Sequence, residues 1–140
     1  VGGQSLDVLL TDKPVNEKEM EFIFNLKTGA LIEAAFMAGA ILAGAGKECV
    51  SQLEKAGNLV GVALQIKDDI LDVTSTQEVL GKPVFSDEKN NKTTYVTLYG
   101  MEKAAADVEN MSEKAESIVK SIGDNEFLIE LINKLISREK

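Results

Sequence analysis

The chain has no histidine and no tryptophan, one cysteine and two prolines, and aromatics make up only 5% of its 140 residues. Each shortage excludes something. Without histidine there is no Ser-His-Asp or Cys-His triad, no imidazole general base and none of the usual zinc sites. A lone Cys49 cannot close an intrachain disulfide and reads as a small packing residue rather than a nucleophile. With prolines only at Pro14 and Pro83, long helices can run uninterrupted. Positive charge is scarce too: 15 Lys and Arg against 23 Asp and Glu leave a formal net charge of −8. Nucleic acid is therefore not expected as a partner, because phosphate backbones are bound by basic surfaces. A small phosphate ligand held by a few lysines or by metal ions is still allowed. No signal-peptide pattern is seen, and a cytosolic setting is the expectation.

What is present favours helix. Hydrophobic residues make up 44% of the chain, enough for one domain with a core, and Ala, Leu, Ile, Glu and Lys dominate. There is no internal repeat and no segment with strand periodicity. Asn16 reads as a helix N-cap, followed by Glu17 and Glu19 in the first turn. The helical pattern then meets Lys27-Thr28-Gly29. Either this is an ordinary C-terminal signal, a basic residue before glycine, or it is a break that lets Lys27 and Thr28 point at an anion.

Residues 30–45 are almost wholly apolar, with Glu33 as the one charge. The run is shorter than the roughly 18–20 residues of a membrane span, so no span is expected. It reads as a central helix buried on all sides, whose Ala and Gly residues admit close neighbours. The next helix should start near residue 47 and stop at the β-branched and hydroxyl cluster of residues 73–76, with a short helical turn over 76–80. Residues 81–94 form a long loop carrying Lys82, Lys89 and Lys92. An amphipathic helix over 95–123, kinked at Gly100, places Ala104, Val108, Met111, Ala115, Ile118 and Val119 on one face. After Gly123, Asn125 reads as a second N-cap. The last helix turns Phe127, Leu128, Leu131, Ile132, Leu135 and Ile136 toward the core.

The most informative stretch is residues 58–72, N-L-V-G-V-A-L-Q-I-K-D-D-I-L-D. At about 100° per residue, Asn58, Gly61, Gln65, Asp68, Asp69 and Asp72 fall in one arc. Apolar residues fill most of the remainder, the reverse of an ordinary surface helix. Asp68 and Asp72 lie one above the other, one turn apart. Like charges at that spacing repel, and burial makes the repulsion worse. Two readings follow: a solvated stripe, or a Mg²⁺–phosphate site, since magnesium accepts one or two carboxylates and completes its shell with water and phosphate oxygens.

Residues 65–72 resemble the second aspartate-rich motif of the trans-isoprenyl diphosphate synthases, the farnesyl and geranylgeranyl diphosphate synthases among them. Leu64 stands where that family often has Phe. Other segments resemble family motifs in the family's order. Val1-Gly2-Gly3-Gln4 with Asp7 is similar to its G-G-Q segment, and residues 27–31 to its K-T-G-x-L helix break. Gly81-Lys82-Pro83 through Ser86-Asp87, then Lys92-Thr93-Thr94-Tyr95, is similar to its G-K-x-x-G-x-D…K-x-T-Y loop, with Phe85 in place of the usual Gly.

The resemblance implies an all-α isoprenoid synthase bundle around a central cavity, usually a homodimer. It implies Mg²⁺-dependent head-to-tail transfer of a prenyl group from an allylic diphosphate to isopentenyl diphosphate. Asp68 and Asp72 would hold magnesium with Asp69 in support, and Lys27 and Lys82 would contact the allylic diphosphate. Thr28 and Gln65 would sit near the reacting carbons, with Lys92 in the same clamp. The diphosphate itself would accept the proton, so no histidine is needed. The family's first aspartate-rich motif is absent, and Val1 is not an initiator methionine. Residues 1–140 are therefore expected to be the carboxy-terminal part of a polyprenyl synthetase domain, about half of it and inactive alone. A terpene cyclase of the same fold and a non-catalytic subunit of an active synthase are the alternatives. Product chain length is set upstream of this sequence and is not readable.

Overall fold

A computed structural model of the chain describes residues 2–10, 13–80, 93–123 and 125–138. Among them there is no strand, and seven α-helices run in the order α1 (Gly2–Leu9), α2 (Glu17–Phe24), α3 (Ala30–Leu42), α4 (Lys47–Leu80), α5 (Tyr95–Tyr99), α6 (Met101–Ile122) and α7 (Glu126–Ser137). A π turn, Asn25–Gly29, joins α2 to α3 without a break. The expected all-α architecture is what the chain adopts.

α4 is the axis. Ala56, Val60, Ala63 and Ile66 on it are wholly buried, as the broad apolar arc required. One side meets the α2–α3 helix: Gly57 lies on Glu33, Gly61 on Gly29 and Gln65 on Thr28, so the two helices run antiparallel. The other side meets α6, also antiparallel. Leu53, Val60 and Leu64 share a cluster with Ala115, Val119 and Ile132, while Ile66 shares a second with Ala104, Val108, Met20, Ile23 and Phe24. Each Val, Leu, Ile, Met or Phe side chain among them contributes about 1.5–3 kcal/mol on leaving water.

The N-cap signal at Asn16 held. Asn16 Oδ1 accepts from Glu19 N at 3.1 Å, and Glu19 Oε2 accepts from Asn16 N at 2.9 Å, closing a capping box. Gly44, with φ 74°, ends α3. Other expectations are corrected. α4 does not stop at residues 73–76: the Thr74 hydroxyl bonds back to the carbonyls of Ile70 and Leu71, at 3.0 and 3.1 Å, which absorbs its polar group inside the helix. Gly100, with φ 85°, separates α5 from α6 rather than kinking one helix. Asn125 gives no side-chain cap; its amide turns back to the carbonyls of Val119 and Gly123.

α3 is not buried on all sides. Only Ala40 is buried, whereas Leu31, Ile41 and Leu42 are 70%, 60% and 88% exposed, because α4 covers one face and no described element covers the other. The close-approach glycines lie chiefly on α4 as well; a Cβ on Gly39 would meet nothing within 4 Å. Phe127, placed on the core face from sequence, is 74% exposed. The continuous helix Glu17–Leu42 is long and apolar enough to cross a bilayer, its most apolar 18 residues having a mean hydropathy of 1.2. The helix as a whole carries Glu17, Lys18, Glu19, Glu21, Lys27 and Glu33.

A polar cluster ties α5 to α6. Tyr95 donates its hydroxyl to Asp107 at 2.6 Å, and Lys103 pairs with the same carboxylate oxygen at 2.6 Å. Burial, then the hydrogen bond to Asp107 and its charge, push the Tyr95 hydroxyl well above the ordinary tyrosine range. Burial alone would raise the Asp107 carboxyl, but the Lys103 and Tyr95 hydrogen bonds outweigh it and hold it below the usual carboxylate value. A lowered folded-state value stabilises above the unfolded pKa of about 4 and is lost as pH falls through the folded one. Asp107→Asn should therefore lose about 1 kcal/mol at pH 7, and the gap from wild type should close below pH about 4. Urea unfolding at several pH values checks it.

Candidate functional site

The site is built where the α2–α3 helix widens. In the π turn the amide of Ala30 reaches back to the Asn25 carbonyl, so one extra residue is accommodated. Lys27 and Thr28 lie in that turn. α1 packs directly on it: a Cβ on Gly3 would meet Lys27 N at 2.4 Å and Leu26 C at 2.6 Å. One helical turn beyond Gly3, Asp7 reaches Lys27, Oδ2 to Nζ at 2.7 Å. From the other side, Thr28 donates its hydroxyl to Gln65 Oε1 at 2.9 Å. The helix interruption expected at residues 27–29 is thus a bulge gripped on both flanks, not an end.

A cavity of about 30 Å³ opens beside the bulge, lined in part by Asp7, Lys27, Gln65, Asp69, Thr93 and Thr94. It brings Lys27 together with Gln65 and Asp69 on α4. Asp69 turns toward α5, accepting the Tyr95 amide at 2.8 Å. Asp68, about 100° around the helix, pairs instead with the Arg138 guanidinium at the end of α7. Its side chain is 50% exposed. Asp72 is exposed, and neither Asp68 nor Asp72 lines this cavity. The single acidic arc is therefore divided between partners. Lys82 and Lys92 lie outside the described residues.

Four further residues take part in the contacts around the site: Asp7, Arg138, Asn58 and Asn25. Asp7 follows the G-G-Q segment, and its spacing of four from Gly3 puts both on one face. Arg138 comes from 70 positions away, and no local pattern announces it. Its Nε is buried without a hydrogen-bond partner among the described residues. Asn58 and Asn25 meet across the bulge, Nδ2 to Oδ1 at 3.3 Å.

The donor set suits magnesium. Asp68 and Asp72 offer hard carboxylate oxygens one turn apart, and Asp68 already draws a cation in the form of Arg138. No cage of three acidic, His or Cys side chains exists among the described residues. Magnesium does not need one, since it keeps water and phosphate oxygens in its shell.

The sequence profile of the polyprenyl synthetases matches residues 1–132. The chain belongs to the polyprenyl synthetase family. Among similar polyprenyl synthetases is a geranylgeranyl diphosphate synthase of Cyanophora paradoxa, 40% identical over 83% of this chain and 39% of that protein. A farnesyl diphosphate synthase of Bacillus subtilis is 34% identical over 99% of this chain and 47% of its own length. The crystal structure of heptaprenyl diphosphate synthase from Staphylococcus aureus superposes with a TM-score of 0.81 at 26% identity, covering 99% of this chain and 56% of that one. The chain thus spans about half the length of the polyprenyl synthetases it matches.

Proposed function

We propose that this chain is the carboxy-terminal part of a prenyltransferase that condenses an allylic diphosphate with isopentenyl diphosphate. The observation that carries the reading is the convergence of Lys27, Gln65 and Asp69 on one cavity, with Thr28 bonded to Gln65, in a chain of this family. In the reaction, the allylic C–O bond breaks and diphosphate leaves with the electron pair. The double bond of isopentenyl diphosphate attacks the resulting carbocation, a C–C bond forms, and a proton passes to the departed diphosphate. Asp68 and Asp72, with Asp69 in support, would hold magnesium, which would supply a Lewis acid for the developing negative charge.

The chain's own groups hold and orient. An ammonium has three donors; Asp7 takes one from Lys27, leaving others for phosphate oxygens. Thr28 and Gln65 fix each other beside it. Lys82 and Lys92, outside the described residues, would join them by the family resemblance alone. We read the Glu17–Leu42 helix as a packing helix of a cytosolic protein rather than a span. The assembly is a homodimer of the longer synthase, in which the apolar side of α3 is covered. Of the alternatives, a subunit without metal chemistry has no need of the Asp68-Asp69-Asp72 set, and a terpene cyclase has none for the lysine motifs.

Calorimetric titration with inorganic diphosphate, with and without Mg²⁺, tests the reading. Asp68→Ala should weaken Mg²⁺-dependent binding about tenfold or more, with little loss of stability because the side chain is half exposed. Equal binding by wild type and variant would remove the metal assignment. No prenyl product is expected from the purified 140-residue chain, and measurable turnover would refute that half of the proposal.

A further inference from the structure

Asn58 does not line the cavity beside the π turn, and nothing in the proposed chemistry uses it. Its Nδ2 donates to Asn25 Oδ1 at 3.3 Å and to Glu33 Oε2 at 3.2 Å. Asn25 opens the π turn, and Glu33 sits one turn beyond its end. A carboxylate only accepts, so the amide nitrogen of Asn58 must face Glu33, and its second hydrogen then meets the Asn25 carbonyl oxygen. Both donors of one side chain are spent across the inserted residue. α4 comes up against the same helix on either side of the clamp: a Cβ on Gly57 would meet Glu33 Cα at 2.8 Å, and one on Gly61 would meet Gly29 Cα at 2.6 Å.

The insertion has a phase. Buried positions step from Met20 to Ile23 and Phe24, then five residues on to Gly29. Moving the extra residue along the helix by a turn would rotate the segment in between by about 100°. Lys27 would leave Asp7 and Thr28 would leave Gln65. A bulge is free to migrate unless its ends are held, and Asn58 holds both.

We infer that Asn58 is a positioning residue: it pins the π turn at Asn25–Gly29 and thereby keeps Lys27 and Thr28 turned toward the diphosphate. The inference rests on the reading of Lys27 and Thr28 as diphosphate contacts. Asn58→Asp keeps the shape but sets a carboxylate against Glu33 and removes both donors. Residue-resolved hydrogen exchange should then show residues 25–33 exchanging about tenfold faster, with the rest of α3 and α4 unchanged, and Mg²⁺-dependent diphosphate affinity falling about tenfold. Adding Glu33→Gln should restore both readouts, because the amide introduced at position 33 can donate to the new carboxylate and the Asn25 amide can flip to do the same. A side chain that merely adds stability would change the unfolding midpoint but not exchange confined to residues 25–33, and reversing polarity would not rescue it. Unchanged exchange at residues 25–33 in Asn58→Asp, or no rescue in the double variant, overturns the inference. Should Asn58→Asp not fold, Asn25→Ala removes one leg only; faster exchange over residues 25–29 supports the pin, and wild-type exchange there overturns it. If exchange responds as stated but wild type binds no diphosphate, the pin stands and the diphosphate reading fails.

Discussion

Gly61→Ala is expected to destabilise the chain by about 2 kcal/mol, while Gly39→Ala, in the helix packed against it, is expected to stabilise by up to about 1 kcal/mol. Both glycines are inside helices, so propensity alone gives the two changes one sign: alanine gains roughly 1 kcal/mol over glycine in a helix interior. Their surroundings separate them. A Cβ at Gly61 would meet Gly29 Cα at 2.6 Å, Gly29 N at 3.0 Å and the Thr28 carbonyl at 3.1 Å, all backbone atoms that cannot swing aside. α4 and the π turn would have to separate, and overpacking of this kind costs about 3 kcal/mol. At Gly39 nothing lies within 4 Å, so only the propensity gain remains. Urea denaturation of both variants decides it through opposite shifts in midpoint at constant slope. Midpoints that move together would mean that α4 does not touch the π turn so closely. The Gly61 variant should also weaken the Thr28–Gln65 hydrogen bond one turn along, so a stability lesion at a glycine becomes a lesion at the site.

Sequence made the centre of this molecule legible and its junctions much less so. The apolar breadth of residues 58–72 foretold a helix buried on most sides, and Val60, Ala63 and Ile66 are wholly buried. Helical spacing correctly put Asp68 and Asp72 one turn apart. It could not say what each acid would meet, because partners come from other helices: Arg138 for Asp68, the Tyr95 amide for Asp69. The interruption at Lys27-Thr28-Gly29 was visible as lost periodicity, yet a helix end and a one-residue insertion look alike locally. The five-residue step from Phe24 to Gly29 distinguishes them once α4 shows which positions are buried. At Thr74, intrinsic propensity argued for a stop, and a hydroxyl bonded back to the helix removed the reason for one. α3 misled in the opposite sense. Apolar composition states that a surface wants covering, not that this chain covers it, and Leu31 and Leu42 remain exposed.

Lys27→Met should cut Mg²⁺-dependent diphosphate binding by roughly 10–100-fold, the worth of one charge-assisted contact in a partly enclosed site. Methionine keeps most of the aliphatic stem, so packing against α1 survives while the charge goes. The local charge balance makes the loss severe. Lys27 is the one cation among the described residues lining the cavity, and it shares that lining with the acids Asp7 and Asp69. One positive against two negative groups repels an anion, in a chain whose overall charge is already −8. Diphosphate should consequently bind weakly or not at all without magnesium, whatever its affinity with it. Asp7→Asn provides the opposite sign: it removes one acid, frees the Lys27 ammonium from its 2.7 Å ion pair, and should leave binding unchanged or tighter. Calorimetry on the two variants separates electrostatics from folding, since each breaks the same ion pair but only one removes the cation. Equal weakening by both would mean that Lys27 serves the Asp7 contact alone, and that the anion is held elsewhere.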